Sequence, residues 1–375
     1  MKTSKFHLSL LLVSLAFSAM LSSCENNAKM ENQPDILPKS FRVDIPSTIS
    51  NKDFVKGGRI HARAKGDTLK GNDIYQNLGT FIAVGETSAK VVEDIINGIR
   101  KFHIDRVLSL TYISEDDNRT KSLIVESNVS FAGQDWDYEL TISDVDAQGQ
   151  ADGGKALQVF WNKSTPVKGI AIIKPLNCDR VKNANSGDAI FRVDYSEAGS
   201  SGYESQMEVS IAGLPLESPL SNPYSINTLH MFAGKTGDVV DVFGNSNHPN
   251  AVFFSGAVGF DWVFVASGSD TKNVGVAEVG LPPSLLDESN RTVLLKDYSI
   301  KNVFTNEINA VWPGLDPSIL KTYLTNADAP GYFNKTGFIA GGVSPGANWD
   351  TFAARLNALG PYNPLQTNNL TINFK

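Results

Sequence analysis

The stretch Leu123-Ile124-Val125-Glu126-Ser127-Asn128-Val129-Ser130-Phe131, followed by Tyr138-Glu139-Leu140-Thr141-Ile142-Ser143, decides the fold class. In the first segment Leu123, Val125, Val129 and Phe131 stand opposite Glu126, Asn128 and Ser130. In the second, Tyr138, Leu140 and Ile142 stand opposite Glu139, Thr141 and Ser143. Side chains alternate across a strand, so this period of two predicts strands with one apolar face. One wet face is the mark of antiparallel pairing, since parallel sheets are covered on both sides. The pattern recurs at Leu157, Val159 and Trp161, at Phe191, Val193 and Tyr195, and at Met207, Val209 and Ile211. Connections such as Glu197-Ala198-Gly199-Ser200-Ser201-Gly202 have the length and composition of turns.

Upstream, the period changes to that of a helix. Val91, Val92, Ile95, Ile96, Ile99 and Phe102 recur at helical spacing, with Thr87 or Ser88 placed to cap the start and Lys101 near the end. Downstream of the proline-rich Leu214-Pro215-Leu216-Glu217-Ser218-Pro219, strand-like segments continue at 239–243, 251–254, 260–266 and 274–279. Helices then follow. Asp316-Pro317 supplies a cap and an N1 proline ahead of Ile319, Leu320, Tyr323 and Leu324. Asn348 is placed to cap a helix carrying Trp349, Phe352, Leu356 and Leu359, closed by Gly360 and Pro361. Leu370, Ile372 and Phe374 suggest a final strand. The expected class is α+β: a large, curved antiparallel sheet with an amphipathic helix before it and helices after it. The expected blocks are 57–215, an antiparallel β domain with one helix, and 216–375, an α+β region either separate from the first or continuous with it.

Of 375 residues 41% are hydrophobic, and 33 Lys and Arg face 40 Asp and Glu, for a formal charge of −7. A disordered chain would be more charged and less apolar. The acidic balance, without a dense basic tract, argues against nucleic acid as a partner, because phosphate contacts need clustered cations.

At the start of the chain, Lys2 and Lys5 precede an uncharged apolar run from Leu8 to Met20, too short to cross a bilayer core of about 30 Å. This reads as a cleaved signal, residues 1–23. Leu21-Ser22-Ser23-Cys24 resembles the lipobox of bacterial lipoproteins, as found in Bacteroidota envelopes. The resemblance implies a diacylglycerol thioether on Cys24, further acylation of its amine, and attachment to the membrane of the cell envelope. Glu25 takes the place of the aspartate that would resemble an inner-membrane retention signal, so the outer membrane is expected, with the leaflet open. Residues 24–56, rich in Asn, Lys, Asp, Ser and Pro, read as a flexible tether, with a short edge strand within 41–49 as an option. Once Cys24 is acylated, Cys178 has no disulfide partner. Its place after the apolar run 170–176 predicts a buried thiol. Asp67-Thr68-Leu69 is similar to the O-glycosylation signal of Bacteroidota envelope proteins, which would make Thr68 an acceptor.

Residues 85–215, a helix leading into an antiparallel meander, also resemble the half-open barrels of envelope lipid carriers of the LolA and LolB type. That likeness implies an apolar cavity for acyl chains. Motifs for catalysis and metal binding are sparse. Gly234-Lys235-Thr236 lacks the earlier glycine of a phosphate loop, where Leu229 stands. Beyond His7 in the signal, His61, His103, His230 and His248 are scattered without zinc spacing. Asp144-Val145-Asp146-Ala147-Gln148-Gly149 opens like a calcium loop but has Gln148 and Lys155 where oxygen ligands belong, and reads as a hairpin turn. No metal or cofactor is expected. The densest polar constellation runs from Gly237 to Gly280. Asp241, Asp261 and Glu278 are its candidate catalytic carboxylates, with the loop Gly244 to Asn250 as a source of polar contacts. Glycosidases need two such groups about 5 to 10 Å apart. The expected function is a lipid-anchored, non-catalytic envelope protein that binds a protein, glycan or lipid or serves an assembly. The alternatives are an exported glycan-directed hydrolase and a lipid carrier.

Overall fold

The computed structural model describes residues 40–51, 71–100, 107–163, 165–198, 201–217, 225–252, 256 and 258–375, with backbone alone at 98–100, 252 and 258. The signal, Cys24, Thr68, His61, His103 and Phe102 lie outside the described residues, as does the side chain of Ile99. The fold is α+β. Among the described residues thirteen strands form one antiparallel sheet in sequence order, with β1 and β13 at its edges.

The chain divides into two compact units that interleave. The first takes 1–42, 87–215 and 371–375; the second takes 43–86 and 216–370. The expected blocks were contiguous, so the second unit gains 43–86. Within that stretch Val43, Ile45 and Ile49 are buried, as is Phe41 in the first unit. Residues 41–51, expected as part of a tether, form no strand, and Phe41, Val43, Ile45 and Ile49 among them fill core positions.

The first unit contributes β1 (Leu108–Ile113), β2 (Thr120–Phe131), β3 (Gln134–Asp144), β4 (Lys155–Trp161), β5 (Lys168–Ile173), β6 (Ile190–Glu197) and β7 (Ser205–Ala212). The registers put Leu123, Val125, Leu140, Ile142, Leu157, Val159, Ala171 and Val193 on one face. Phe41 lies across Gly169 on this unit, its ring where a Cβ would stand, and stacks on Tyr195 at 5.9 Å. The alternation expected of a half-wet sheet holds on β6, but β4 and β5 are buried on both faces. On the second face Glu139 and Gln158 are covered by the C-terminal residues. Lys375 Nζ reaches Glu139 at 2.5 Å, and the Lys375 backbone N–H donates to Gln158 at 2.7 Å. Residues 370–374 thus form no strand, contrary to expectation.

The second unit holds β8 (Leu229–Thr236), β9 (Val239–Val252), β10 (Val258–Ser269), β11 (Val274–Gly280), β12 (Gly331–Asn334) and β13 (Gly337–Gly341). One face carries Val239, Val263, Val265, Val274, Val276 and Tyr332. Leu294 and Leu295 of a π-helical turn (Val293–Asp297) and Phe352 and Leu356 of a helix (Ala347–Leu356) pack onto it. On the other face Phe81 meets Trp262 at 4.5 Å, and Tyr75 lies on Gly331. Both faces are therefore covered, which explains why β10 and β11 are apolar nearly throughout.

Helix α1 spans Gly71–Arg100, so its start lies well before the expected cap at Thr87 or Ser88, and Ser88 is buried in mid-helix. Gly79 and Gly85 lie inside the helix. Each allows close approach: a Cβ on Gly79 would stand 3.1 Å from the Asn51 backbone nitrogen, whose N–H donates to the Gly79 carbonyl at 2.8 Å. Tertiary contact outweighs the modest helix cost of glycine.

Candidate functional site

Asp241, Asp261 and Glu278 come to one face of the second unit's sheet, as the pairs Asp241↔Ser267, Asn247↔Asp261 and Val265↔Glu278 require. They do not come to one place. Asp261 stands six residues along β10 from the partner of Asp241, about 20 Å at about 3.3 Å per residue. Glu278 is two strands over from Asp241 and two residues along, about 12 Å between backbones. Each also has its own partners. Arg355 holds Asp241 in a fork, at 3.1 and 2.5 Å, while Ser267 Oγ donates at 2.7 Å. Arg291 pairs with Glu278 at 2.6 Å. Arginine thus pairs with two of the three carboxylates.

Asp261 differs. It is fully buried, and its Oδ1 accepts from Asn247 at 3.0 Å and Asn368 at 3.2 Å, while Oδ2 has no hydrogen-bond partner. Burial pushes its carboxyl up to about 7, against the lowering effect of those amides and Ser284. It is walled in beneath the sheet's covering segments rather than open to a substrate. The polar run 244–250, expected as a loop, lies inside β9. Asn245 donates to the Tyr362 carbonyl at 2.7 Å, and His248 Nε2 lies 2.8 Å from Ser246 Oγ, among Phe81, Phe260 and Trp262. His230 stacks on Tyr362 at 3.7 Å.

In the first unit the structure assembles a charge network that sequence reading missed. Asp144, fully buried, accepts from Arg119 at 2.7 Å and Arg180 at 3.0 Å, with Lys121 Nζ at 3.4 Å. Burial alone would raise its pKa, but Arg119, Lys121 and Arg180 hold the carboxyl below the usual range. Lys121 also reaches Asp117 at 3.0 Å and the Asn177 carbonyl at 3.0 Å. The first residue of the calcium-like run is thus occupied by the protein's own cations. Asp144, Arg119 and Arg180 are distant in sequence, and no local pattern joins them.

Beside this network lies a cavity lined by Ile95, Tyr112, Lys121, Ile142, Leu157 and Cys178 among others. Its volume, taken at the centre of a water-sized sphere, is about 10 Å³, room for about one water and none for an acyl chain. Cys178 ends a short helix, α2 (Pro175–Cys178), its Sγ 3.5 Å from the Ala156 carbonyl.

The outer surface offers something different. Helix α3 (Ile300–Val311) and helix α4 (Pro317–Tyr323) form a hairpin, α4 capped by Asp316 as its Asp-Pro signal predicted. Val311, Trp312 and Ile319 on this hairpin are large apolar residues left exposed, Trp312 at 45%. The signal in sequence was an aromatic residue in the turn Trp312-Pro313-Gly314, where polar residues are usual. Among the described residues no helix is long and apolar enough to cross a membrane. Comparison with protein-family models, with curated proteins and with solved structures returns no match.

Proposed function

We propose that this chain is an envelope lipoprotein, anchored through Cys24, whose folded body acts by binding and not by catalysis. The observation that carries the reading is the exposed apolar hairpin of Val311, Trp312 and Ile319, set against three carboxylates that stand apart, two of them paired with arginines. Tryptophan is enriched at binding hot spots, and exposed apolar residues grouped on one element mark contact surfaces. The lipobox-like junction supplies the address.

Two measurements test this reading. Intact mass of membrane-extracted protein is expected to show a chain beginning at Cys24 with added acyl mass; an unmodified chain beginning elsewhere overturns the anchor. Capture of a defined envelope component by the purified chain is expected to fall at least tenfold in Trp312→Ala with Ile319→Ser. Turnover of a glycan or ester substrate, lost in one variant among Asp241→Asn, Asp261→Asn and Glu278→Gln with folding preserved, would replace the binding role with a hydrolase.

A further inference from the structure

Strand β1 is the first edge of the sheet, and among the described residues it lacks the charge, proline and bulge that usually guard an edge. The six residues Leu108-Ser109-Leu110-Thr111-Tyr112-Ile113 include no charge and no proline, and their register with β2 runs without a bulge. Val107 is 58% and Ile113 71% exposed, and Leu110 and the neighbouring Ile124 are exposed too. One hydrogen bond fixes which groups point outward. The Ser114 N–H donates to the Arg119 carbonyl at 2.9 Å, so 114 and 119 are a hydrogen-bonded pair. Such pairs alternate along an antiparallel ladder. Leu108, Leu110 and Tyr112 therefore bond to β2, and Ser109, Thr111 and Ile113 turn their N–H and C=O groups away from the sheet.

We propose that β1 is the seam of a homodimer, in which it pairs antiparallel with β1 of a second copy about a twofold axis at Leu110. In that register Ser109 and Thr111 are the outward-bonding pair, hydroxyl against hydroxyl. Val107 meets Ile113, Leu108 meets Tyr112, and Leu110 meets Leu110 of the second copy. Each residue i meets residue j of the copy while j meets i, the self-complementarity of an isologous contact, and every such pair here is apolar with apolar or hydroxyl with hydroxyl. The strand's lack of charge removes the like-charge repulsion that self-pairing would otherwise incur. The two adjacent registers allowed by the outward groups, centred on Thr111 and on Ser109, would set Ser109 against Ile113 and Val107 against Thr111 respectively, and lose the match. A foreign strand would have no reason to repeat this symmetry. The proposal is independent of the anchor at Cys24, though confinement to a membrane would favour a seam this short.

The test uses the full chain with Cys24→Ala and Cys178→Ala, studied by sedimentation and by cysteine cross-linking. A concentration-dependent dimer is expected. At the axis Leu110 and its copy form a non-hydrogen-bonded pair about 4.5 Å apart between Cα atoms, within disulfide range. Leu110→Cys should therefore cross-link under mild oxidation at least tenfold faster than Thr111→Cys. Leu110→Lys and Leu110→Asp should each be monomeric, and their equimolar mixture should restore the dimer. Leu110 is exposed, so these variants are expected to keep the parent's melting behaviour; if one does not, the cross-linking comparison still decides. A chain monomeric at every concentration overturns the proposal. So does a dimer that Leu110→Lys leaves intact, or a monomer that takes up a foreign peptide along β1.

Discussion

Asp261 is a buried carboxyl whose folded pKa, about 7, stands above the value of 3.8 in an exposed chain. Between those limits the folded state binds more protons than the unfolded one, so this group lowers stability as pH rises. Asp261→Asn is uncharged at every pH. The melting temperature of the native chain relative to Asp261→Asn is therefore expected to fall between pH 5 and pH 8, and a constant difference would show that Asp261 is solvated. Asp144 acts in the opposite sense. Its carboxyl is held low by Arg119, Lys121 and Arg180, so its contribution is present above the ordinary carboxylate range and is lost as pH falls through the folded value. Cys178 gives a third measurement. Burial pushes its thiol up to about 12, despite the opposing charge of Lys121, so little thiolate exists near pH 8. Labelling by a thiol reagent is expected to be slow in native buffer and at least tenfold faster after denaturation. Equal rates would place the sulfur in open solvent.

At the scale of elements, close approach governs where glycine stands. Gly280 ends β11 beneath the π-helical turn, and a Cβ there would lie 1.9 Å from the Leu294 carbonyl oxygen. Backbone cannot yield as a flexible side chain can, so Gly280→Ala is expected to cost about 1–3 kcal/mol. A denaturant midpoint equal to that of the parent would contradict it. The same principle explains which elements were legible. Strands β2 and β6 alternate because one face is more solvated than the other, and alternation is visible along the chain. The Asp316-Pro317 cap was likewise visible because a helix start is a local event. The start of α1 was not. Gly79 and Gly85 look like interruptions until the residues that pack against them are known. The polar run 244–250 continues β9 because Tyr362, Asp261 and Ser284 meet its side chains, and these partners lie far along the sequence.

For the molecule as a whole, the carboxylates separate stability from catalysis. Asp241→Asn weakens a buried, forked pair with Arg355 and is expected to cost about 1–3 kcal/mol. Arg355 is partly exposed and can hydrate once released, which keeps the loss below that of a fully buried pair. A large loss of turnover with unchanged stability would be the opposite result, and would indicate a reacting group.

The sequence by itself determined the α+β class and the antiparallel strands. These rest on period, caps and short motifs, which act between near neighbours. Tertiary structure alone decided that residues 43–51 and 71–86 join the second unit, that Asp241, Asp261 and Glu278 share a face without meeting, and that Asp144 gathers three cations. It also decided which apolar residues stay outside, at Trp312 and along β1. Burial and pairing depend on separations in space, and a chain folded through many antiparallel turns brings together residues whose spacing in sequence carries no trace of it.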